Sequence, residues 1–386
     1  MLCYPKTIYA LFMTNTLNHK DQIISRTQLD IFFRSNTNLI DLRAPVEVAR
    51  GGIPEAINYP LLNNEERHQI GITYKESGKR AAINLGEKIV SGAVREHRLD
   101  SWIQSISKRP DTALFCYRGG LRSSTAQSWL RKKGVCVPRI DGGYKALRAQ
   151  LIRILHTTST KAKIILIGGR TGSAKTHLLG KLVNQIDLEK IANHRGSAFG
   201  RRMTPQPAQA TFENQIALEL LRLGSPPGSF VFLEDEGSSI GSVAIPTTLY
   251  KKMGISGLAV IEEDINYRTQ TILEDYVISN LRELRFKHQT EAETEAAFRS
   301  FLLDSLDRIK KRLGGALHKK ITILMQACLN DYSDLIKHQE WIRILLEEYY
   351  DPMYDYQIKQ KSARIIYQGS SHDFLQWAAN IESRAE

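Results

Sequence analysis

Phe115-Cys116-Tyr117-Arg118-Gly119-Gly120-Leu121-Arg122-Ser123 stands between an apolar run, residues 112–116, and a helix-forming stretch, 123–133, that Gly134 stops. A cysteine where a buried strand turns into a helix meets the positive end of the helix dipole and several unpaired backbone N–H groups, and both favour a thiolate. Gly119 and Gly120 carry no Cβ, so those groups can curl round an anion. Arg118 and Arg122 add positive charge for a persulfide or a bound tetrahedral oxyanion. Packing alone does not ask for two glycines and two arginines so close to a buried cysteine. Cys116 is therefore the expected catalytic residue, with Arg118 and Arg122 beside it and Gly119 and Gly120 shaping a phosphate-binding loop.

Outward from this loop the chain alternates strand and helix. Residues 38–43 read as a short buried strand, followed by a helical turn and the break Gly51-Gly52-Ile53-Pro54; Asp41 and Arg43 are expected to be structural there. Residues 81–94 read as helix, 135–140 as a strand ending at Asp141-Gly142-Gly143, and 145–157 as a helix bridging to a second α/β unit. That unit opens with the strand 163–167 and continues with a helix from Lys175, an amphipathic helix at 212–223 and strands at 230–233 and 258–261. Beyond Arg268 apolar residues recur at helical spacing through Leu346, so a helical C-terminal part is expected. The predicted fold class is α/β: a flexible N-terminal extension, 1–24; a parallel-sheet domain, 25–150; and a phosphate-binding α/β domain with a helical extension, 151–386.

The second α/β unit carries its own motif. Gly169-Arg170-Thr171-Gly172-Ser173-Ala174-Lys175-Thr176 follows a strand and opens a helix, the setting of a G-x-x-x-x-G-K-[ST] phosphate loop, except that Ala174 replaces the second glycine of the frame. The backbone around Gly169 and Gly172 would cradle phosphates, Lys175 would reach their charge, and the Thr176 hydroxyl would ligate magnesium. Glu234-Asp235-Glu236 ends the strand at 230–233, and Asp235 is the expected partner for that ion through water. Ala174 puts a Cβ into a tight turn and so calls the loop's shape and nucleotide affinity into question.

Arg195, Arg201 and Arg202 lie in a glycine-bearing loop that suits a diphosphate or an RNA backbone. Arg308, Lys311 and Arg312 fall on one helical face at i, i+3 and i+4, joined by His318, Lys319 and Lys320, as a tRNA track would require. The aromatic cluster at 349–354 would stack on bases, form a lid or simply pack.

Composition narrows the field. With 386 residues, 42% of them apolar, the chain can build two separate cores. Its net charge of +12 favours a polyanionic partner, nucleic acid first. Four scattered cysteines with no C-x-x-C pair argue against a disulfide framework and suggest no zinc site. No apolar stretch approaches the roughly 20 residues that cross a bilayer, and the N-terminus lacks the layout of a secretory signal, so a cytoplasmic protein is expected. Met13 is an alternative start. Nothing decides the oligomeric state, and a monomer is consistent with every feature above.

Taken together, Cys116-Tyr117-Arg118-Gly119-Gly120-Leu121-Arg122-Ser123, Gly142-Gly143-Tyr144-Lys145-Ala146-Leu147-Arg148, the phosphate loop, the segment from His194 to Gly200, Leu233-Glu234-Asp235-Glu236 and the segment from Glu347 to Tyr354 closely resemble the tRNA 2-selenouridine synthase family, over residues 25–370. The resemblance implies a rhodanese-like domain fused to a P-loop domain. It also implies replacement of sulfur by selenium at C2 of wobble 2-thiouridine in tRNA, from selenophosphate, through an S-geranyl intermediate made with geranyl diphosphate. By that analogy Cys116 carries selenium as a selenenyl sulfide, Arg118 and Arg122 hold the donor's phosphate, and Lys175 with Thr176 holds a diphosphate. No tightly bound cofactor is implied. Gly237-Ser238-Ser239 departs from the Ser-Arg that the family commonly carries after its acidic triplet. Two other chemistries fit the residues. The Cys-x5-Arg spacing to Arg122 also serves cysteine phosphatases, although Phe115 stands where tyrosine phosphatases have a histidine, and a persulfide sulfurtransferase acting on tRNA needs the same loop. A nucleotide-gated RNA-binding protein with a non-catalytic rhodanese module is the alternative outside enzymology.

Overall fold

A computed structural model describes residues 22–35, 37–223, 230–332 and 334–383. The chain divides into two compact units, one running to Leu155 and including Ala208–Arg222, the other made of His156–Pro207 and the chain from Leu223 onward.

The first unit is built on five parallel strands, β1 (Ile23–Ile24), β2 (Asn38–Asp41), β3 (Ile57–Asn58), β4 (Thr112–Phe115) and β5 (Arg139–Ile140), in the order β1-β5-β4-β2-β3. All four residues of β4 are buried, as a central parallel strand covered on both faces requires. Helices α1 (Leu29–Arg34), α2 (Pro45–Ala49), α3 (Asn64–Ile89), α4 (Gly92–Lys108), α5 (Leu121–Lys132) and α6 (Gly143–Lys161) complete the alternation. Trp102 of α4 stacks on Trp129 of α5, and Trp102, Leu114, Cys116, Ala126 and Leu130 share one apolar core.

Asp41 and Arg43, expected to be structural, form a buried ion pair with N–O distances of 2.6–3.0 Å, and the Arg43 guanidinium lies 3.9 Å from the centre of the Tyr144 ring. A charge this deep is tolerable because every strong donor finds an acceptor. Arg43 Nη2 also donates to Gly51 O at 3.0 Å.

Several expectations change. The N-terminal extension assigned to 1–24 ends earlier, because Ile23–Ile24 is the edge strand paired with Arg139–Ile140; the rest of that expectation, 1–21, lies outside the described residues. The helix drawn across 81–94 is broken at Val90 and Ser91, which leave helical geometry between α3 and α4. The strand expected over 135–140 is reduced to two residues. Helix α9 (Gln209–Leu223), read as part of the second domain, belongs almost entirely to the first unit. Polar side chains hold it there: Gly52 N donates to Thr211 Oγ1 at 2.9 Å, Asn214 Nδ2 donates to Gly52 O at 2.7 Å, and Arg148 pairs with Glu213. Sequence periodicity marks a helix but not which core receives it.

The second unit has a parallel sheet of order β12-β11-β6-β8-β7, with β6 (Lys163–Gly169) at its centre, β8 (Phe230–Glu234) and β11 (Gly257–Ile261) beside it, and β7 (Gln185–Ile186) and β12 (Ile365–Gly369) at the edges. Short helices α7 (Lys175–Leu179) and α8 (Leu188–Ala192) follow β6 and β7; β9 (Ser239–Ile240) and β10 (Val243–Ala244) form a separate hairpin, followed by α10 (Thr247–Met253). The helical part contains α11 (Ile265–Ile272), α12 (Ser279–Lys287), α13 (Glu291–Leu313), α14 (Gly315–Cys328), α15 (Gln339–Leu345) and α16 (Asp351–Gln360), with α17 (Ser371–Ser383) after β12. Thr290 and Glu293 form a reciprocal cap that starts α13, and Gly314 ends it. The helical part expected from spacing runs through Leu346, and beyond it β12 docks parallel to β11. Among the described residues no helix is long and apolar enough to cross a membrane.

In the helical core His338 is fully buried, its Nδ1 accepts from Trp341 Nε1 at 2.9 Å, and its Nε2 has no partner. Burial pulls its pKa down to about 4. The folded chain therefore refuses a proton that the unfolded chain accepts, and stability falls as pH drops from about 6.5 toward 4. Denaturant unfolding at pH 7 and pH 5 is expected to show a drop of about 1–2 kcal/mol in the wild type that His338→Phe reduces, even though that variant is weaker at both pH values.

Candidate active sites: a cysteine loop and a phosphate loop

Cys116 sits directly beyond β4, at the carboxyl end of the central strand, and α5 begins at Leu121. In open parallel sheets this end of the strands is where ligands bind, because helix N-termini gather there. Gly119 has φ +65, and a Cβ on it would lie 2.6 Å from Ile140 O and 2.7 Å from Gly142 N, so no other residue fits. Gly120 has open space around it and is not demanded by packing. The loop is tied down from the α6 side: Tyr144 N donates to Cys116 O at 2.8 Å and Lys145 N to Tyr117 O at 3.1 Å. The segment Gly142–Arg148 is thus the support of the cysteine loop.

Cys116 Sγ donates to Ser123 Oγ at 3.3 Å, and Ser123 Oγ donates to Gly120 O at 3.1 Å. A hydroxyl can rotate, so Ser123 can turn its proton to the sulfur when the thiol ionises. In the sequence Ser123 is one residue of a longer motif, and its position one helical turn after Gly120 is the signal that marks it.

The two arginines expected to work together are separated. Arg122 points inward and is held by both oxygens of Glu47, at 2.6 and 3.0 Å. Burial opposes its charge, but Glu47, then Cys116 and Asp41, outweigh burial and raise its pKa. Arg118 is exposed, 5.9 Å from the Tyr117 ring centre. Cys116 itself is only 3% exposed, beneath a rim in which Tyr117 and Leu121 are exposed.

In the second unit the loop after β6 borders a cleft of about 510 Å³. Lys175 Nζ donates to Gly169 O at 2.8 Å. A Cβ on Gly172, φ +87, would lie 2.7 Å from Arg268 O. Ala174 occupies the left-handed region at φ 53, ψ 33, so the residue that departs from the usual loop does bear backbone strain. Buried Arg268 grips Asp351 with four contacts of 2.9–3.1 Å, and Arg170 grips Asp355 at 2.8–3.0 Å, which fixes α16 beside the phosphate loop.

The carboxylate expected at Thr176 was Asp235, and the geometry differs. Asp235 lines the cleft, yet its oxygens take Lys361 Nζ at 2.6 and 2.8 Å. The hydroxyl of Thr176 instead lies 3.0 Å from Glu234 Oε1 and 3.2 Å from Glu189 Oε2. Side chains alternate along a strand, so of the neighbours Glu234 and Asp235 only one can face Thr176. Burial, then the adjacent carboxylate Glu236, pushes Glu189 up to about 8. Burial is also the first cause of the raised values at Glu234, followed by Glu189, and at Glu236. Among the described residues no group of three His, Cys, Asp or Glu side chains is arranged to ligate a metal alone.

Arg195 and Arg202 line the same cleft, with Arg195 Nη1 donating to Asn280 Oδ1 at 2.8 Å. Arg201, Arg308, Lys311 and Arg312 are exposed and outside its lining. Arg308 Nη1 donates to Ala198 O at 3.4 Å, while His318 is paired with Asp307 and Lys320 with Glu348.

Residues 27–150 match the rhodanese-like domain, and residues 162–385 match the tRNA 2-selenouridine synthase AAA domain. The chain belongs to the tRNA 2-selenouridine synthase family. A tRNA 2-selenouridine synthase of Marinobacter nauticus is 43% identical over 91% of this chain and 96% of its own length. One of Shewanella oneidensis is 40% identical over 96% and 97%, and one of Pseudomonas syringae 43% over 92% and 96%. Membership joins the two motifs in one chain and accounts for their order, a cysteine loop before a phosphate loop.

Because Ala174 is held in a conformation that glycine adopts freely, Ala174→Gly is expected to raise stability by about 0.5–1 kcal/mol in chemical denaturation, without weakening binding of inorganic diphosphate in calorimetry.

Proposed function

We propose that this protein makes 2-selenouridine in tRNA from 2-thiouridine at the wobble position, in two steps served by its two loops. The observation that carries this reading is the coexistence, in one member of the family, of a cysteine at a helix-opening loop and a separate phosphate-gripping cleft.

In the first step the thione sulfur attacks C1 of geranyl diphosphate, the C1–O bond breaks, diphosphate departs and N3 loses its proton. Backbone N–H groups of the phosphate loop, Lys175, Arg195 and Arg202 take up the charge of the leaving group. Thr176, Glu234 and Glu189 would hold a magnesium ion, which would supply positive charge to the departing diphosphate and relieve the crowding of the two carboxylates. Alkylation turns the C2 sulfur into a leaving group. In the second step the selenium of selenophosphate bonds to C2, the C2–S bond breaks and geranylthiol leaves with a proton; water then attacks phosphorus, the P–Se bond breaks, and inorganic phosphate departs to leave 2-selenouridine. Cys116 acts in this step, with Arg118 receiving the phosphate of the donor and Arg122 keeping positive charge near the sulfur. The basic residues Arg201, Arg308, Lys311 and Arg312 are exposed and suit a tRNA backbone. The cytoplasm, where tRNA and reduced thiols meet, suits the reaction.

Purified protein given thiolated tRNA, geranyl diphosphate and selenophosphate, followed by nucleoside mass spectrometry, tests the division of labour. Cys116→Ser is expected to stop selenation and accumulate S-geranyl-2-thiouridine, and Lys175→Ala to lower geranylation by about 10²-fold or more. S-geranylated tRNA supplied directly should restore selenation to Lys175→Ala but not to Cys116→Ser. Normal selenation by Cys116→Ser would overturn the assignment.

A further inference from the structure

The cleft over the phosphate loop has two unlike walls. Lys175, Thr176, Arg195 and Arg202 form a charged one, whereas Ile272, Tyr276, Tyr350 and Met353 form an apolar and aromatic one. A second pocket shares Thr171, Ser197, Ile272, Tyr276 and Tyr350 with the cleft and continues among Phe199, Trp341, Ile342, Leu345 and Leu346. Its volume is about 20 Å³, enough for a water or two at most.

Two of the hydroxyls at its entrance, those of Ser197 and Tyr276, are already engaged. Ser197 Oγ donates to Tyr276 Oη at 3.1 Å, and Tyr276 Oη donates to Arg195 O at 3.1 Å. A nucleobase placed there would leave its hydrogen-bonding edge unpaired, at a cost comparable to the contact it gains. A hydrocarbon loses nothing and gains burial with each carbon. A hydrocarbon tail requires this seam to widen, and the least regular helical turns lie at its walls: the π-helical turns Leu273–Ile278 and Leu346–Tyr350 each supply wall residues, Tyr276 from one and Leu346 and Tyr350 from the other. Phe199 and Trp341, stacked at 5.9 Å, are the bulky part of the lining and limit how far it opens.

We propose that this seam is the subsite for the hydrocarbon tail of an allylic diphosphate whose head sits on the phosphate loop, and that Ile272 at its mouth and Ile342 within it set the tail length at two isoprene units. The proposal rests on the reading that the phosphate loop holds geranyl diphosphate.

The test compares dimethylallyl, geranyl and farnesyl diphosphates as alkyl donors to thiolated tRNA with the full-length protein, reading each alkylated nucleoside by mass spectrometry as kcat/KM. Rates are expressed as ratios to geranyl on the same protein, so loss of folded enzyme cancels. The wild type is expected to favour geranyl over either alternative by about tenfold or more. Ile342→Ala, which deepens the seam, should raise the farnesyl-to-geranyl ratio by about tenfold. Ile272→Phe, which narrows its mouth, should raise the dimethylallyl-to-geranyl ratio similarly. A wild type that geranylates, with both ratios unmoved in both variants, overturns the tail subsite alone. A wild type that alkylates with none of the three donors overturns the tail subsite together with the reading on which it rests.

Discussion

A parallel strand buried on both faces must end in a turn, and the helix that follows starts with N–H groups that have no partner of their own. This protein meets that constraint twice, at the carboxyl ends of β4 and β6, the central strands of its two sheets. In one turn the chain places a cysteine and in the other a lysine and a threonine. Under the proposed function, the same deficit of hydrogen-bond acceptors serves sulfur chemistry at one end and phosphate binding at the other.

What surrounds each turn is a balance of charge. Glu47 occupies Arg122, whose charge Cys116 also favours, so that cation is held in place while Arg118 is exposed. Around Thr176 the balance runs the other way, with Glu189 and Glu236 half-buried beside fully buried Glu234 and all three driven toward their protonated forms. Buried carboxylates of this kind respond strongly to any cation that arrives with a phosphate ligand.

The motif residues were legible because their chemistry is local: a strand, a glycine-bearing turn and a helix are contiguous in the chain, so Cys116, Gly119, Lys175 and Thr176 could be placed by reading alone. Ala174 was recognisable as a departure, and its left-handed conformation is the physical content of that departure. Partners brought from afar were not legible. Glu47, 75 residues from Arg122, and Lys361, 126 residues from Asp235, carry no spacing that ties them to the site. That Glu234 rather than Asp235 faces Thr176 was not legible for a related reason, since which carboxylate of an acidic run faces the threonine depends on how the strand leaves the sheet.

By itself the sequence determined the two α/β units, the order of their reactive loops and the identity of the groups in them, because hydrophobic period and turn chemistry are properties of neighbouring residues. Only the tertiary structure decided that Gln209–Leu223 joins the first unit's core, that the two arginines beside Cys116 part company, and that an apolar seam adjoins the phosphate cleft. Those outcomes depend on which surfaces meet after the chain collapses, and burial and ion pairing between residues far apart in sequence leave no periodic trace in it.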